Sequence, residues 1–286
     1  MKSLILLASL TVQFPQQTDI SLEIVDNSQH LTRVQENLTQ AQPVNLVFFS
    51  PHENENIANN YVKSKVMQSG GRYVVLKQFG NRLIKLKVNE KIIAIDPNRI
   101  YTHEGRRSTL LKLNENLTEQ SELFKQALAK TEQLGNFILQ NIHVNNPDTF
   151  WVAVHNNTDG YGDDGNNGTG TISIKRYQKK LDSGSKYLID VTKGKHDEDD
   201  LFFVTHRSDF EKMKQQGWNA ILQNPAVALI KDEDDGSLSV LAEMKGMRYI
   251  NIEAERMSED GGSDHLKVQQ KMVDFIYTLF QTSDGQ

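Results

Sequence analysis

Short runs of apolar residues recur along this chain, each followed by loop chemistry or by a stretch whose apolar positions fall three or four apart. Leu46 to Phe49 is unbroken by any polar residue, so residues 45–50 read as a strand buried on both faces. Residues 56–68 follow as a helix, with Ile57, Val62 and Val66 near one face. Residues 73–76 and 91–95 read as further strands, and 82–88 alternates with period two. Between 108 and 142 the positions Leu110, Leu113, Leu117, Phe124, Leu128, Leu134 and Ile138 predict an amphipathic helix or helix pair lying on a sheet. A buried strand at 150–154 comes next, then a glycine-rich loop at 159–170, a strand at 201–204 and a helix at 208–222 opened by a Ser/Asp cap. Residues 226–230 and 238–242 flank Asp235-Gly236 and predict a hairpin. A last strand at 249–253 and a closing helix at 265–280 complete the pattern.

Strands alternating with helices predict an α/β fold, a single domain whose mixed, largely parallel central sheet is flanked by helices. No internal repeat or Pro/Gly/Ser-rich linker divides it, so the domain is expected to span residues 18–286. Residues 1–17 read differently. Met1-Lys2, a short apolar run at 4–12 and then Gln13, Gln16 and Gln17 fit a minimal secretory signal peptide, which implies a periplasmic or secreted protein. The run is too short to cross a membrane, and Leu10-Thr11-Val12 also suits a buried first strand.

Composition narrows the chemistry. With 32 basic against 37 acidic residues and no basic arm, a nucleic-acid partner is not expected. The chain has no cysteine, which excludes disulfides, thiolate zinc sites and thiol catalysis. The acidic runs at 197–200 and 232–235 read as solvated loops, because they lack the spacing that wraps a chain around calcium.

The residues able to do chemistry follow the strands. His52 and Glu55, three apart just after the 45–50 strand, can converge on one cation. His155 comes at the end of the 150–154 strand, where one distant ligand would complete a three-ligand site with a position left for water. On the last strand Asn251 and Glu253 share a face, and Glu253 is placed to act as general base, with Glu255 its competitor. After the 91–95 strand comes Asp96-Pro97-Asn98-Arg99, whose guanidinium either grips a substrate carboxylate or pins its own turn.

These four motifs, in this order, resemble those of the zinc carboxypeptidases and their relatives, which include murein-peptide amidases and N-acyl-amino-acid deacylases. The resemblance rests on His52-Glu53-Asn54-Glu55, Asn98-Arg99, Val154-His155-Asn156-Asn157 and Ile252-Glu253, and runs from about residue 45 to residue 255. It implies one zinc ion held by His52, Glu55 and His155. It also implies that Glu253 takes a proton from water and returns it to the leaving amine, and that Asn98 and Arg99 hold a substrate carboxylate. A further arginine near the scissile carbonyl is implied as well. Arg82 is best placed in the order, with Arg72, Arg106 and Arg107 as alternatives. The substrate implied is a small peptide or an N-acyl amino acid. The pattern departs from the family in lacking a recognisable capping tyrosine, for which Tyr161 and Tyr177 match no motif, and in its short Glu55–Asn98 interval.

Two rival readings stand beside it. One is a non-catalytic relative that binds a peptide or cell-wall fragment. The other is a serine hydrolase, against which the chain has no Gly-x-Ser-x-Gly elbow. No phosphate-cradling loop of the Gly-x-x-x-x-Gly-Lys-Ser/Thr kind occurs either. His103 and His206 read as structural or exposed.

Overall fold

The unbroken apolar run at 46–49 forms a fully buried strand at the centre of a nine-stranded sheet. The computed structural model describes residues 16–24, 27–35, 45–78, 80–158, 170–255 and 264–281. In chain order, the first half contains β1 (Gln16–Ile24), β2 (Asn27–Gln35), β3 (Leu46–Ser50), α1 (Asn59–Ser69), β4 (Arg72–Lys77), β5 (Ile84–Val88), β6 (Lys91–Ile95), α2 (His103–Leu113) and α3 (Glu122–Asn141). The second half contains β7 (Phe150–Asn157), α4 (Ile174–Asp182), β8 (Leu188–Thr192), β9 (Leu201–Val204), α5 (Arg207–Gln216), β10 (Asn219–Gln223), α6 (Leu238–Lys245), β11 (Tyr249–Glu255) and α7 (Asp264–Gln281).

The sheet runs β1-β2-β4-β3-β7-β11-β9-β10-β8, and β5 pairs with β6 in a separate hairpin. Its middle, β4-β3-β7-β11, is wholly parallel, while β9 runs antiparallel to β11 and the outer strands are mixed. Alternation sorts the central strands onto two cores. Val47, Phe49, Trp151 and Ala153 face one, with α2, α3, α6 and the β5–β6 hairpin. Leu46, Phe48, Val152, Val154, Ile250 and Ile252 face the other, with α1, α5 and α7. This is the predicted single α/β domain, with its central sheet covered on both faces.

Several predicted elements differ from the observed ones. The 108–142 pattern is a helix pair, α2 and α3, broken at Asn114. The helix predicted at 208–222 ends at Gln216, because Gly217 adopts a left-handed conformation (φ 78°) that closes it. Residues 219–223 are instead the buried strand β10. There is no hairpin around Asp235-Gly236. Asn224 and Pro225 open a 3-10 turn (Pro225–Leu229), and Ser237 caps α6 by accepting from Val240 N. Gly236 (φ 76°) lies against Arg99 O and Gly105, where a β-carbon would collide with both. The acidic run at 197–200 is not solvated: Glu198, Asp199 and Asp200 are buried, because Asn219 Nδ2 donates to carbonyls of that loop and folds it onto the sheet. The signal-peptide segment, bar Gln16 and Gln17, and the loop at 159–169 lie outside the described residues.

Candidate metal centre

Parallel strands deliver the site to one edge of the sheet. β3, β7 and β11 are hydrogen-bonded neighbours running the same way, so the segments beyond their carboxyl ends meet in one place. Beyond β3, Glu55 N donates to His52 O at 3.1 Å, and this turn brings the two side chains together. His155 lies within β7, which continues three residues beyond its apolar run, and is directly paired in register with Glu253 of β11. His52, Glu55, His155 and Glu253 are all buried.

The two imidazoles share one carboxylate. His155 Nδ1 stands 2.7 Å from Glu55 Oε2, and His52 Nδ1 stands 3.1 Å from Glu55 Oε1. One ligand atom from each of the three lies within 4.8 Å of the others, a spacing that can hold a metal ion. His52 Nδ1 is buried and faces Glu55 Oε1. Its other nitrogen, Nε2, is 2.9 Å from Asp96 Oδ1. That carboxylate fixes the ring and assigns the proton to Nε2, which frees Nδ1 to ligate.

Asp96 is in turn held. It caps the 3-10 turn Pro97–Arg99 by accepting from Asn98 N at 2.9 Å. Arg82 pairs with Glu55 through Nη1 and lies 3.6 Å from Asp96 Oδ2 through Nη2. Gln78, itself buried, donates to Arg82 O at 2.9 Å and accepts from Glu53 N at 2.8 Å. The ligand loop and the arginine loop are thereby clasped together. On the other side Gln269 of α7 donates to His155 O at 2.9 Å and accepts from Asn156 Nδ2 at 3.0 Å.

The electrostatics follow from burial and these partners. Burial opposes charge on His52, but its hydrogen bonds to Asp96 and Glu55 outweigh that and raise its pKa. Burial likewise works against the Asp96 carboxylate, yet His52 and Arg82 pull it down to about 2. Glu55 is held well below the usual carboxylate range by His155 and His52 against the same penalty. Glu253 goes the other way: burial raises its pKa, while His155 and the hydrogen bond donated by Asn251 Nδ2 (2.9 Å) oppose the rise.

Glu253 also faces a cavity of about 550 Å³, lined among others by Asn251, Asn98, Arg99, Tyr177 and Asp235. Glu253 thus joins the His/Glu/His group, which does not line the cavity, to Asn98 and Arg99, which do. Arg99 Nη1 is 3.2 Å from Asp235 Oδ2. Burial and nearby Glu253 raise the Tyr177 hydroxyl to about 12, so it remains a neutral donor.

Of the predicted residues, His52, Glu55, His155, Glu253 and Arg82 come together, and Asn98 and Arg99 line the same cavity as Glu253. Arg82 touches Glu55 and Asp96. The alternatives are occupied elsewhere: Arg72 with Asn141 O and His143, Arg106 with Ile100 O and Glu132, Arg107 with Glu104 and Glu119. Glu255 is 3.1 Å from His265, away from the cavity lining. His103 is exposed at the start of α2, and His206 precedes α5 with its pKa lowered by burial. Tyr161 lies outside the described residues. Gln78, Gln269 and Asn251 carry no motif of their own; only their nearness in sequence to ligands or to a strand end hints at a role.

No protein-family model matches the chain, and no curated protein matches it. Among solved structures it is similar to a succinylglutamate desuccinylase from Vibrio parahaemolyticus, at 11% identity and a TM-score of 0.43, over 94% of this chain and 79% of that one. It is also similar to a protein from Shewanella frigidimarina described as a succinylglutamate desuccinylase/aspartoacylase, at 11% identity and a TM-score of 0.35, over 90% of this chain and 70% of that one. Superpositions that loose say nothing of chemistry, so the functional reading rests on the side chains.

Proposed function

We propose that the protein is a zinc-dependent hydrolase of the carboxypeptidase-like kind, cleaving an amide bond in a small peptide or N-acyl amino acid that bears a free carboxylate. The observation that carries this reading is the convergence of two imidazoles on one buried carboxylate, with Asp96 behind His52 and Glu253 paired in register beside His155. The donor set of two nitrogens and one oxygen suits zinc, and His52 Nδ1 is buried beside Glu55 Oε1, where such an ion would be held. When bound there, zinc would supply Lewis acidity and bring the pKa of a water to about 7.

The chain's own residues would do the rest. Glu253, at the junction of the site and the cavity, would take the proton of the attacking water and pass it to the leaving nitrogen. Asn251 holds the Glu253 carboxylate in place through Oε1. In the same cavity, Arg99 would grip the substrate carboxylate with the amide of Asn98 beside it, and Asp235 would fix the guanidinium. Arg82, on Glu55 and Asp96, is the cation nearest the ligands and would meet the carbonyl oxygen as charge develops on it.

The test is a hydrolysis screen of N-acyl amino acids and short peptides, wild type beside Glu253→Gln. Turnover that requires both the substrate carboxylate and Glu253 supports the reading. Turnover unchanged in Glu253→Gln contradicts it, and zinc binding without turnover of any member favours a binding protein.

A further inference from the structure

Two amides behind the His/Glu/His group join the segments that carry the ligands and the base. β3 pairs with β7 only as far as Ala153, so His155 and Asn156 lie past the last rung between them. Buried main-chain groups there still need partners. Two side chains meet that need, Asn156, which is 7% exposed, and Gln269 of α7, which is fully buried.

Asn156 reaches three segments at once. Its Oδ1 accepts from Ile57 N at 3.2 Å, two residues beyond Glu55. Its Nδ2 donates to Ala254 O at 3.3 Å, next to Glu253, and to Gln269 Oε1 at 3.0 Å. Gln269 Nε2 in turn donates to His155 O at 2.9 Å. Each amide fits in one orientation only. Turned over, Asn156 would set donor against donor at Ile57 N, and Gln269 would do so at Asn156 Nδ2. A buried network satisfied in a single arrangement holds its members rigidly.

We propose that Asn156 and Gln269 are positioning residues, which set the spacing of the His52–Glu55 loop, His155 on β7 and the Glu253 base on β11. The inference rests on the zinc hydrolase reading above. Strand alternation supplies the physical reason. His155 and Glu253 share one face of the sheet, while Val152, Val154, Ile252 and Ala254 share the other with α7. Asn156 is the polar successor of Val152 and Val154 on that second face, so through it α7 braces the site from behind. Neither residue lines the cavity, and both act through main-chain atoms of or beside the functional residues. A shift of about 1 Å among reacting groups can cost about 10²-fold in rate, so such bracing bears directly on catalysis.

The experiment compares Gln269→Met, which keeps the reach of the side chain and removes its amide, with Val273→Ala, which removes buried apolar volume one turn further along α7. Asn156→Ala is the harsher companion. By chelator competition, Gln269→Met and Asn156→Ala should each bind zinc about 10-fold more weakly, and kcat should fall more than KM rises. Hydrogen exchange of the metal-free chain needs neither zinc nor substrate. There the Ile57 amide should exchange about 10-fold faster in Gln269→Met, although Gln269 does not bond to it, and at the wild-type rate in Val273→Ala. Wild-type zinc affinity or wild-type Ile57 exchange in Gln269→Met, or equal effects in Val273→Ala, would overturn the proposal. A wild type that neither binds zinc nor turns over substrate would instead sink the hydrolase reading, and the exchange comparison would still decide whether the two amides set the spacing.

Discussion

At the residue scale the site depends on a few atoms held in one orientation. Asp96 does not line the cavity, but it decides which nitrogen of His52 faces Glu55. Asp96→Asn should therefore weaken zinc about 10–100-fold while the fold persists, measured by competition with a chelator. Glu253→Gln should do the opposite, keeping zinc and lowering kcat by about 10²–10⁴-fold, since only proton transfer is removed. The grouping of His52, Glu55 and His155 was legible in the sequence because each comes after an apolar run that names its strand. The residues that hold them were less so. Gln78, Gln269 and Asn251 act through amides, and nothing in the local sequence says which amide will find a buried carbonyl or carboxylate.

At the element scale, the strands buried on both faces were the readable part. A run such as 46–49 or 150–154 has one role available to it, the middle of a covered sheet. The edges were not readable in the same way. α4 has a clear helical period, with Ile174, Tyr177 and Leu181 on one face, but over only nine residues rich in Lys and Arg, and β8 buries only Leu188. The β1–β2 hairpin did leave a trace, because residues 19–24 alternate apolar and polar. Turn chemistry misled where one residue type serves two ends. Gly236 suggests a hairpin, yet its open φ and missing β-carbon let the segment before α6 rest on Arg99 and Gly105. Asp235 is carried to Arg99 by that contact. Gly236→Ala should cost about 1–3 kcal/mol in chemical denaturation, and should raise KM more than it lowers kcat as Arg99 shifts.

At the scale of the whole molecule, the parallel centre of the sheet explains why distant motifs converge. His52, His155 and Glu253 sit on or just beyond adjacent strands of one direction, so three separated segments share an edge. That convergence sets the response to pH. The pKa of His52 is raised above its ordinary 6.5 in the metal-free chain, so its protonation stabilises the fold. That contribution is complete below 6.5 and is lost as pH rises through the higher folded value. Melting temperatures of metal-free protein should accordingly fall across that range. Zinc affinity should run the other way, falling as pH drops and protons reclaim His52.

The central claim is that His52, Glu55 and His155 hold one zinc ion. The direct measurement is the metal content of purified protein by elemental mass spectrometry, wild type beside His155→Ala. About one equivalent of zinc in wild type, lost in the variant while its circular dichroism is unchanged, is the predicted result. Wild type that takes up no zinc even after dialysis against it, or a variant that retains the metal, would contradict the account.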